Sequence, residues 1–293
     1  MSQQSAFKTP EGEAAYLAAY DAAMKSWPVL YEEFDVPSRF GTTHVIASGP
    51  TTAPPLVLLH GFMATSTMWS PNIAAFSRDH RVYAVDVIGQ PGKSIPAEPI
   101  RNVADFVSWL IAILDALHLD RVSLVGQSFG GWLALSYAIA APQRLLKLVL
   151  LSPGGLLPMV RQFTVRGLLM VGWPTRLTVN SFMRWLGLTD RAFAPARDLM
   201  YLGMKHFRMP LETARIVPAA VSDEQLRTLQ VPTLLLYGEA DRRSPPEVVA
   251  RDLHAKIPGS RLVVMPGVGH QCDMEAPDRF NAEVRSFLRS GHR

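Results

Sequence analysis

Ser128 is the residue whose surroundings point most directly to chemistry. It lies at the centre of Gly-Gln-Ser-Phe-Gly, residues 126–130, after the apolar run 121–125 and before a helical pattern. A turn tight enough to lift one side chain above a sheet strains its backbone, and glycines two positions away remove collisions with neighbouring backbone. The pattern G-x-S-x-G between a strand and a helix therefore predicts a nucleophilic serine. The alternative is a glycine-rich turn with an incidental serine.

A serine hydroxyl is a poor nucleophile unless a base takes its proton. Among the eight histidines, His270 follows the last strand-like segment in Pro-Gly-Val-Gly-His, residues 266–270. A loop at that place reaches the carboxyl edge of a sheet, where catalytic side chains gather. We therefore predict His270 as the base and interpret the other histidines as structural.

An acid is needed to orient the histidine and to stabilise its protonated form. Asp241 lies just beyond the strand-like run 233–237, with Glu239 and Asp273 as rivals. Glu239 is too close to the strand, and Asp273 follows His270 by only three residues, so Asp241 is preferred. The chain order is then nucleophile, acid, base.

An oxyanion formed during attack on a carbonyl needs preorganised N–H donors at the same sheet edge. The segment 58–62, Leu-Leu-His-Gly-Phe, ends a strand in a glycine turn. We therefore predict that the backbone N–H groups of Phe62 and Phe129 form the oxyanion hole. His60 is expected to brace this loop rather than to transfer protons.

The elements that must position these residues alternate along the chain. A helix at about 13–25 precedes a hairpin of strands at 31–37 and 43–48, and apolar strands follow at 56–60, 81–86, 121–125, 147–151, 233–237 and 261–265. Strands without polar alternation, separated by helices, indicate a parallel sheet buried on both faces. Residues 156–228 lack a strand-like run and hold six of the twelve methionines, which predicts a helical cap between core segments 1–155 and 229–293.

The motifs, taken together, resemble the α/β-hydrolase fold. They are HGF, DVIGQPGKS, GQSFGG, GEAD and GVGH, and they occur in the order that the family shows. The resemblance implies an α/β fold with a mostly parallel central sheet, flanking helices and an all-helical cap insertion. More narrowly, residues 27–50 with LVLLHGFMATSTMW resemble bacterial carboxylesterases that act on bulky aryl-acid esters.

The loop after Asp86 departs from the family pattern. It reads Val-Ile-Gly-Gln-Pro-Gly-Lys-Ser, where the family usually has a shorter D-x-x-G-x-G-x-S. It is not a phosphate loop either, because that motif has four residues between its glycines and this one has two between Gly89 and Gly92. Nucleotide binding is therefore not expected.

The predicted cap is rich in methionine and aromatic residues, which suit a mostly apolar pocket for varied hydrophobic groups. Many of them must instead form the core of the cap. The residues predicted to contact substrate are Met63, Met159, Phe163, Met170, Trp185 and Met204. The expected substrate is a neutral small-molecule ester with a hydrophobic acyl or alcohol part.

The resulting hypothesis is a serine carboxylesterase that works through an acyl-enzyme, without cofactor or metal. One alternative is a carbon–carbon bond hydrolase of the meta-cleavage type, in which Arg161, Arg166 or Arg184 would bind an anionic dienoate. A cofactor-free perhydrolase would use the same triad. A ligand-binding protein on a hydrolase scaffold would give at most one product per chain.

Composition limits the other classes of function. The 293 residues are 48% hydrophobic and 18% charged, which suits a globular protein with a large core. The single cysteine, Cys272, excludes internal disulfides and favours the cytoplasm. We expect neither a secretory signal nor a membrane-spanning helix.

Charge is uneven along the chain. The net charge is +4, and residues 156–228 hold ten Lys/Arg against five Asp/Glu. No nucleic-acid motif accompanies this basic segment, so nucleic-acid binding is not expected. A solvated face is the simplest interpretation, with an anionic partner or membrane surface as the alternative. A homodimer is left open.

Overall fold

The apolar segments assemble into one sheet. The computed structural model describes residues 5–155, 160–216, 218, 221–243 and 246–290. Its strands are β1 (Tyr31–Ser38), β2 (Gly41–Ser48), β3 (Pro55–Leu59), β4 (Arg81–Val85), β5 (Ile95–Pro96), β6 (Val122–Gln127), β7 (Leu145–Leu151), β8 (Thr233–Gly238) and β9 (Arg261–Met265). The strand order is β1-β2-β4-β3-β6-β7-β8-β9, and β5 pairs with β2. The pairs β1–β2, β2–β4 and β2–β5 are antiparallel. The pairs β4–β3, β3–β6, β6–β7, β7–β8 and β8–β9 are parallel.

Helices connect and cover these strands. Within the described residues they are α1 (Pro10–Met24), α2 (Ser70–Phe76), α3 (Val103–Ala116), α4 (Phe129–Ala140), α5 (Arg161–Gly172), α6 (Arg176–Trp185), α7 (Ala194–His206), α8 (Leu211–Ala214), α9 (Asp223–Arg227), α10 (Pro246–Lys256), α11 (Cys272–Glu275) and α12 (Pro277–Arg289). The predicted α/β architecture with a mostly parallel sheet is confirmed.

Both faces of the sheet are buried. In β3, Val57 and Leu59 join one core cluster with residues of α3, α4 and α10, while Leu56 and Leu58 join a second cluster with residues of α1, α2 and α12. Successive side chains of a strand point to opposite faces. This two-sided burial explains why the strands read as continuous apolar runs.

The N-terminal helix begins earlier than its apolar pattern indicates. Pro10 occupies the first turn, and the hydroxyl of Thr9 accepts a hydrogen bond from the N–H of Gly12. A threonine cap followed by proline is a strong helix start, so the helix spans Pro10–Met24 rather than about 13–25.

Only helical elements lie between β7 and β8 in the described residues. These helices have their own core, which includes Val179, Phe182, Met183, Leu188 and Met200. The N-terminal segment also reaches this region: the N–H of Lys8 donates to the His206 carbonyl at 2.8 Å, and the N–H of Arg208 donates to the Ala6 carbonyl at 2.8 Å. We call residues 160–228 the cap, and the predicted division into core and cap remains a prediction.

Candidate active site

Ser128 lies at a sharp turn between β6 and α4. Its backbone has φ 51° and ψ −106°, a conformation that non-glycine residues rarely adopt. A Cβ on Gly126 would lie 2.2 Å from the Gly130 carbonyl oxygen, and one on Gly130 would lie 2.3 Å from the Leu59 carbonyl oxygen. The turn therefore requires glycine at both places, as the sequence pattern predicts.

Asp241 and His270 form a buried pair at the same edge of the sheet. Nδ1 of His270 donates to Oδ2 of Asp241 at 2.8 Å, and the N–H of Arg243 donates to Oδ1 of Asp241 at 2.9 Å. Burial raises the pKa of Asp241, but the charges and hydrogen bonds of His270 and Arg243 outweigh burial and lower it to about 2. Asp241 is therefore ionised at neutral pH and able to hold a histidine proton on Nδ1.

The contact with Gln127 indicates which ring nitrogen of His270 carries no proton. The amide Nε2 of Gln127 lies 3.3 Å from Nε2 of His270. An N–H directed at this nitrogen requires it to be unprotonated, and Nδ1 then carries the proton that it donates to Asp241. This is the tautomer that a general base needs. Sequence reasoning did not assign a role to Gln127.

The Ser128 hydroxyl faces a different partner. Its Oγ lies 3.5 Å from Nη1 of Arg243, and within the described residues it has no hydrogen bond to His270. Ser128, Gln127 and His270 nevertheless line the same cavity. In this structure the serine hydroxyl therefore lies next to Arg243 rather than in a hydrogen bond with the base.

Arg243 is a buried cation that sequence reasoning missed. Its Nη2 donates to the Ser152 carbonyl at 2.7 Å and lies 4.0 Å from Oδ2 of Asp241. Its own carbonyl accepts from the N–H of Val160 at 3.1 Å, where the cap begins. Arg243 thus joins the loops that follow β6, β7 and β8. The only available signal was an arginine two residues beyond the predicted acid.

The two residues that carry the predicted oxyanion donors are in contact. The rings of Phe62 and Phe129 contact each other edge to face, with centroids 6.2 Å apart. Within the described residues neither backbone N–H donates a hydrogen bond. Phe129 is the first residue of α4, where backbone N–H groups have no partner inside the helix. Both groups are therefore free to bind a substrate oxygen.

The loop that carries Phe62 is braced from two sides. His60 donates through Nδ1 to the Gly61 carbonyl at 2.8 Å and accepts from the N–H of Val87 through Nε2 at 2.9 Å. Burial lowers the pKa of His60. Gln90, in the loop that departs from the family pattern, accepts from the N–H of Met63 at 3.1 Å. His60 thus has the bracing contacts expected of it, and Gln90 is a second brace.

The rival acids occupy other places. Oε2 of Glu239 accepts from the N–H of Gly267 at 2.9 Å. Asp273 is fully buried, its carboxyl oxygens have no hydrogen-bond partner in the described residues, and burial raises its pKa to about 8. A carboxyl group that is protonated at neutral pH does not supply the negative charge that a triad needs.

A cavity of about 650 Å³ lies over Ser128. Cap helices and the loop after β3 form most of its wall, and the end of α1 contributes Ala23. Its large apolar lining residues are Phe62, Met63, Met68, Phe163, Met170, Val171, Phe182, Met183, Leu186, Leu188, Leu199, Met200 and Met274. The volume suits a drug-sized hydrophobic molecule.

Only some of the residues predicted to contact substrate line this cavity. Met63, Phe163 and Met170 line the cavity, whereas Trp185 and Met204 are not part of the lining. Trp185 packs against the ring of Phe163 at 6.2 Å, and Met204 packs on the cap core. Both belong to helices whose Phe182, Met183, Leu199 and Met200 face the cavity instead. Met159 lies outside the described residues.

The described residues offer neither a metal cage nor a membrane span. No group of three or more His, Cys, Asp or Glu side chains among them is arranged to hold a metal ion. None of the helices in this part of the chain combines the length and the apolar character that crossing a membrane requires.

Named relatives align with most of this chain. Carboxylesterase YbfK of Bacillus subtilis (strain 168) is 32% identical over 293 aligned residues, which cover 97% of each chain. A protein of the same organism named uncharacterized carboxylesterase nap is 34% identical, covering 93% of this chain and 92% of that protein. The 2-hydroxy-6-oxo-2,4-heptadienoate hydrolase of Pseudomonas putida is 32% identical over 80% of this chain and 88% of its own length.

Solved structures give the same relationship. The crystal structure of carboxylesterase CesB (YbfK) superposes with a TM-score of 0.90, covering 96% of this chain and 100% of that one. Naproxen esterase from B. subtilis superposes with a TM-score of 0.89 at 33% identity, covering 96% of this chain and all of its own. A family profile described as the Alpha/beta hydrolase family matches residues 56–283. The chain therefore belongs to the alpha/beta hydrolase family.

Proposed function

We propose that the protein is a carboxylesterase that hydrolyses small esters with hydrophobic groups through an acyl-enzyme on Ser128. The observation that carries this proposal is the Asp241–His270 pair, 2.8 Å apart and buried, at the edge of the cavity that Ser128 lines. The relatives named as carboxylesterases, which align along nearly the whole chain, support the same reaction class.

In the proposed reaction, Oγ of Ser128 attacks the ester carbonyl carbon while Nε2 of His270 takes the hydroxyl proton. The carbonyl oxygen becomes an oxyanion that accepts from the N–H groups of Phe62 and Phe129. Collapse of the tetrahedral intermediate breaks the bond to the alcohol oxygen, which leaves with the proton from His270. Water then attacks the acyl-enzyme by the same steps, releases the acid and restores Ser128.

Gln127 and Arg243 contact the proposed base and nucleophile before substrate binds. The Gln127 amide occupies the nitrogen of His270 that must receive the proton, and Arg243 approaches the serine oxygen. The Gln127 contact has to be released before Oγ of Ser128 can donate its proton to Nε2 of His270, whereas Oγ can accept from Arg243 while it donates. We infer that an ester in the cavity displaces the Gln127 amide and completes the catalytic arrangement.

A fluorophosphonate probe and an aryl ester test the proposal. We expect one probe per wild-type chain, attached to Ser128, and loss of both labelling and turnover in Ser128→Ala. Ser136→Ala is the matched control, because Ser136 lies on α4 and its hydroxyl donates to the Trp132 carbonyl at 2.9 Å, away from the cavity lining. Full turnover by Ser128→Ala, or labelling at another residue, would exclude Ser128 as the nucleophile.

Carbon–carbon bond hydrolysis is the other reaction to assay. Arg161, Arg166 and Arg184, which this alternative needs near the substrate, do not line the cavity. Arg166 instead donates to Oγ of Ser181 at 3.0 Å, and Arg161 and Arg184 are exposed. The same enzyme preparation is offered an aryl ester and a dienoate diketone, and we expect turnover of the ester alone.

The proposed enzyme is cytoplasmic and acts on a small molecule rather than on a nucleic acid. The free thiol of Cys272, which is buried, is compatible with a reducing compartment. In this proposal the helical insertion 156–228, between core segments 1–155 and 229–293, shapes the pocket.

A further inference from the structure

Helix α5 has large apolar side chains on two sides. Phe163, Gly167 and Met170 line the cavity. Half of the twelve strongly exposed large apolar side chains in the described residues fall on α5, in the turn after it and at the start of α6: Val165, Leu168, Leu169, Val171, Trp173 and Leu177, with exposures from 47% to 79%. Single exposed apolar residues are ordinary, but a cluster of this kind marks an interaction site.

The charge of this region has one sign. Residues 156–189 contain four arginines and no aspartate or glutamate. Arg176 is paired with Asp198, and Arg166 is bound to Ser181. Arg161 and Arg184 are exposed and have no carboxylate partner within the described residues.

Helical spacing places these arginines with the apolar cluster. Arg161 precedes Val165 by one turn on α5, and Arg184 follows Leu177 by two turns on α6. We call Arg161, Arg184 and the six exposed apolar residues the cap face.

The charge decides what can cover the cap face. A second copy of the chain in a two-fold dimer would bring the same arginines together across the interface, with no acidic residue from this stretch to pair with them. The occupant must therefore be apolar in its interior and negatively charged at its surface. Exposed leucine, tryptophan and arginine occur together on α5, on α6 and in the turn between them, and this is the composition of segments that lie in a membrane interface.

We propose that the cap face binds the surface of an anionic phospholipid membrane. Leu168, Leu169 and Trp173 enter the region between headgroups and acyl chains, and Arg161 and Arg184 contact the lipid phosphates. Val171 is 56% exposed and also lines the cavity, so the cap face reaches the rim of the pocket. A hydrophobic ester dissolved in the membrane would then be close to the pocket. This use of the surface rests on the proposed function, whereas the membrane binding does not.

Vesicle flotation with the full-length protein tests the inference. Phosphatidylcholine vesicles are compared with vesicles in which about a third of the lipid is phosphatidylglycerol, at low and at high salt. We expect flotation with the anionic vesicles only, and a loss of binding as salt rises. Binding to neither vesicle, or equal binding to both, would overturn the proposal.

Single substitutions identify the surface. Leu168→Gln is expected to weaken the partition coefficient about tenfold, from the lost burial of one leucine, and Arg161→Gln about fivefold, from the loss of one charge near an anionic surface. The matched controls are Leu30→Gln, at a leucine that is 95% exposed outside the cap face, and Arg251→Gln, at an exposed arginine of α10. Both controls should bind as the wild type does. Equal binding by Leu168→Gln and Leu30→Gln would refute the assignment.

Membrane binding is separable from catalysis and from self-association. Hydrolysis of a water-dissolved short ester should be unchanged in Leu168→Gln, because Leu168 does not line the cavity. Ser128→Ala should lose hydrolysis and keep vesicle binding, so that failure of one proposal leaves the other standing. Sedimentation that finds a wild-type dimer and a Leu168→Gln monomer would assign the cap face to a second copy instead, and would overturn the membrane proposal.

Discussion

Replacing Asp241 by asparagine tests how the acid works. In the wild type, Oδ2 of Asp241 accepts from Nδ1 of His270 at 2.8 Å, and Oδ1 accepts from the N–H of Arg243 at 2.9 Å. Asparagine has one oxygen for these two donors. With that oxygen on the Arg243 N–H, its NH₂ group faces Nδ1 and the ring proton moves to Nε2. His270 then has no free nitrogen with which to take the serine proton.

The size of the effect follows from the same distance. Unit charges 2.8 Å apart in a medium of effective dielectric constant about 20 interact by about 6 kcal/mol. The imidazolium that forms in the transition state loses this stabilisation in Asp241→Asn. Because each 1.36 kcal/mol corresponds to a factor of ten in rate, we expect kcat/KM to fall by about 10⁴.

The assay is kcat/KM for a soluble aryl ester, with circular dichroism and urea unfolding to show that the fold is kept. Asp273→Asn and Glu239→Gln are the controls and should stay within about threefold of wild type. Burial raises the pKa of Asp273 to about 8, so its carboxyl is already neutral at pH 7 and the amide is nearly isosteric. A folded Asp241→Asn enzyme within tenfold of wild type would refute the reasoning. An inactive Asp273→Asn enzyme would move the acid there.

Three further changes test other parts of the site. Arg243→Met should lower the free energy of urea unfolding by about 3 kcal/mol, because it leaves the Ser152 carbonyl and Asp241 without their cation. The control Arg242→Met, at an exposed position, should change this free energy by less than about 0.5 kcal/mol. Equal free energies of unfolding in the two variants would show that Arg243 is not structural. A Cβ on Gly167 meets no atom within 4 Å, and this glycine lines the cavity. Gly167→Phe should therefore lower kcat/KM for bulky esters about tenfold or more and leave kcat/KM for acetates unchanged. The control Gly167→Ala should leave both values unchanged. Equal losses on bulky esters and acetates in Gly167→Phe would contradict the pocket assignment. The pKa of Asp273 is raised by burial from 3.8 to about 8, so its contribution to stability is complete below pH 3.8 and is lost as pH rises through about 8. Asp273→Asn should thus remove a fall in unfolding free energy of at most about 1.4 kcal/mol per pH unit across this window, measured by urea unfolding at several pH values, and an unchanged slope would show that Asp273 ionises normally.

Local patterns were sufficient for eight of the nine strands and for the turn at Ser128, but not for the two-residue strand β5. The central strands β3, β4, β6, β7 and β8 are short, largely apolar runs because both faces of the sheet are covered there, and this property is visible in five to seven consecutive residues. The elbow is equally local, since Gly126 and Gly130 are needed by atoms within the same turn and the adjacent strand end. Asp241 and His270 were identifiable because each follows a strand, and parallel strands bring their carboxyl ends to one edge.

The cap was less predictable from the same sequence. Its helices are rich in methionine and aromatic residues on more than one side, so composition alone does not separate pocket from core. Trp185 and Met204 turn away from the cavity, whereas Phe182 and Met200 face it. Which side of a helix faces the cavity is decided by packing between helices, and this depends on residues far away in the chain.

By itself, the sequence determined the order and type of most core elements, the family, and a serine, an acid and a histidine just after the strands β6, β8 and β9. The tertiary structure alone decided that Gln127 occupies the free nitrogen of His270 and that Arg243 reaches a serine 115 residues earlier in the chain. The physical reason is the separation along the chain between the groups that interact. Strand and turn preferences arise from atoms a few bonds apart, whereas a buried guanidinium is held by carbonyl groups that become neighbours only when the sheet is complete.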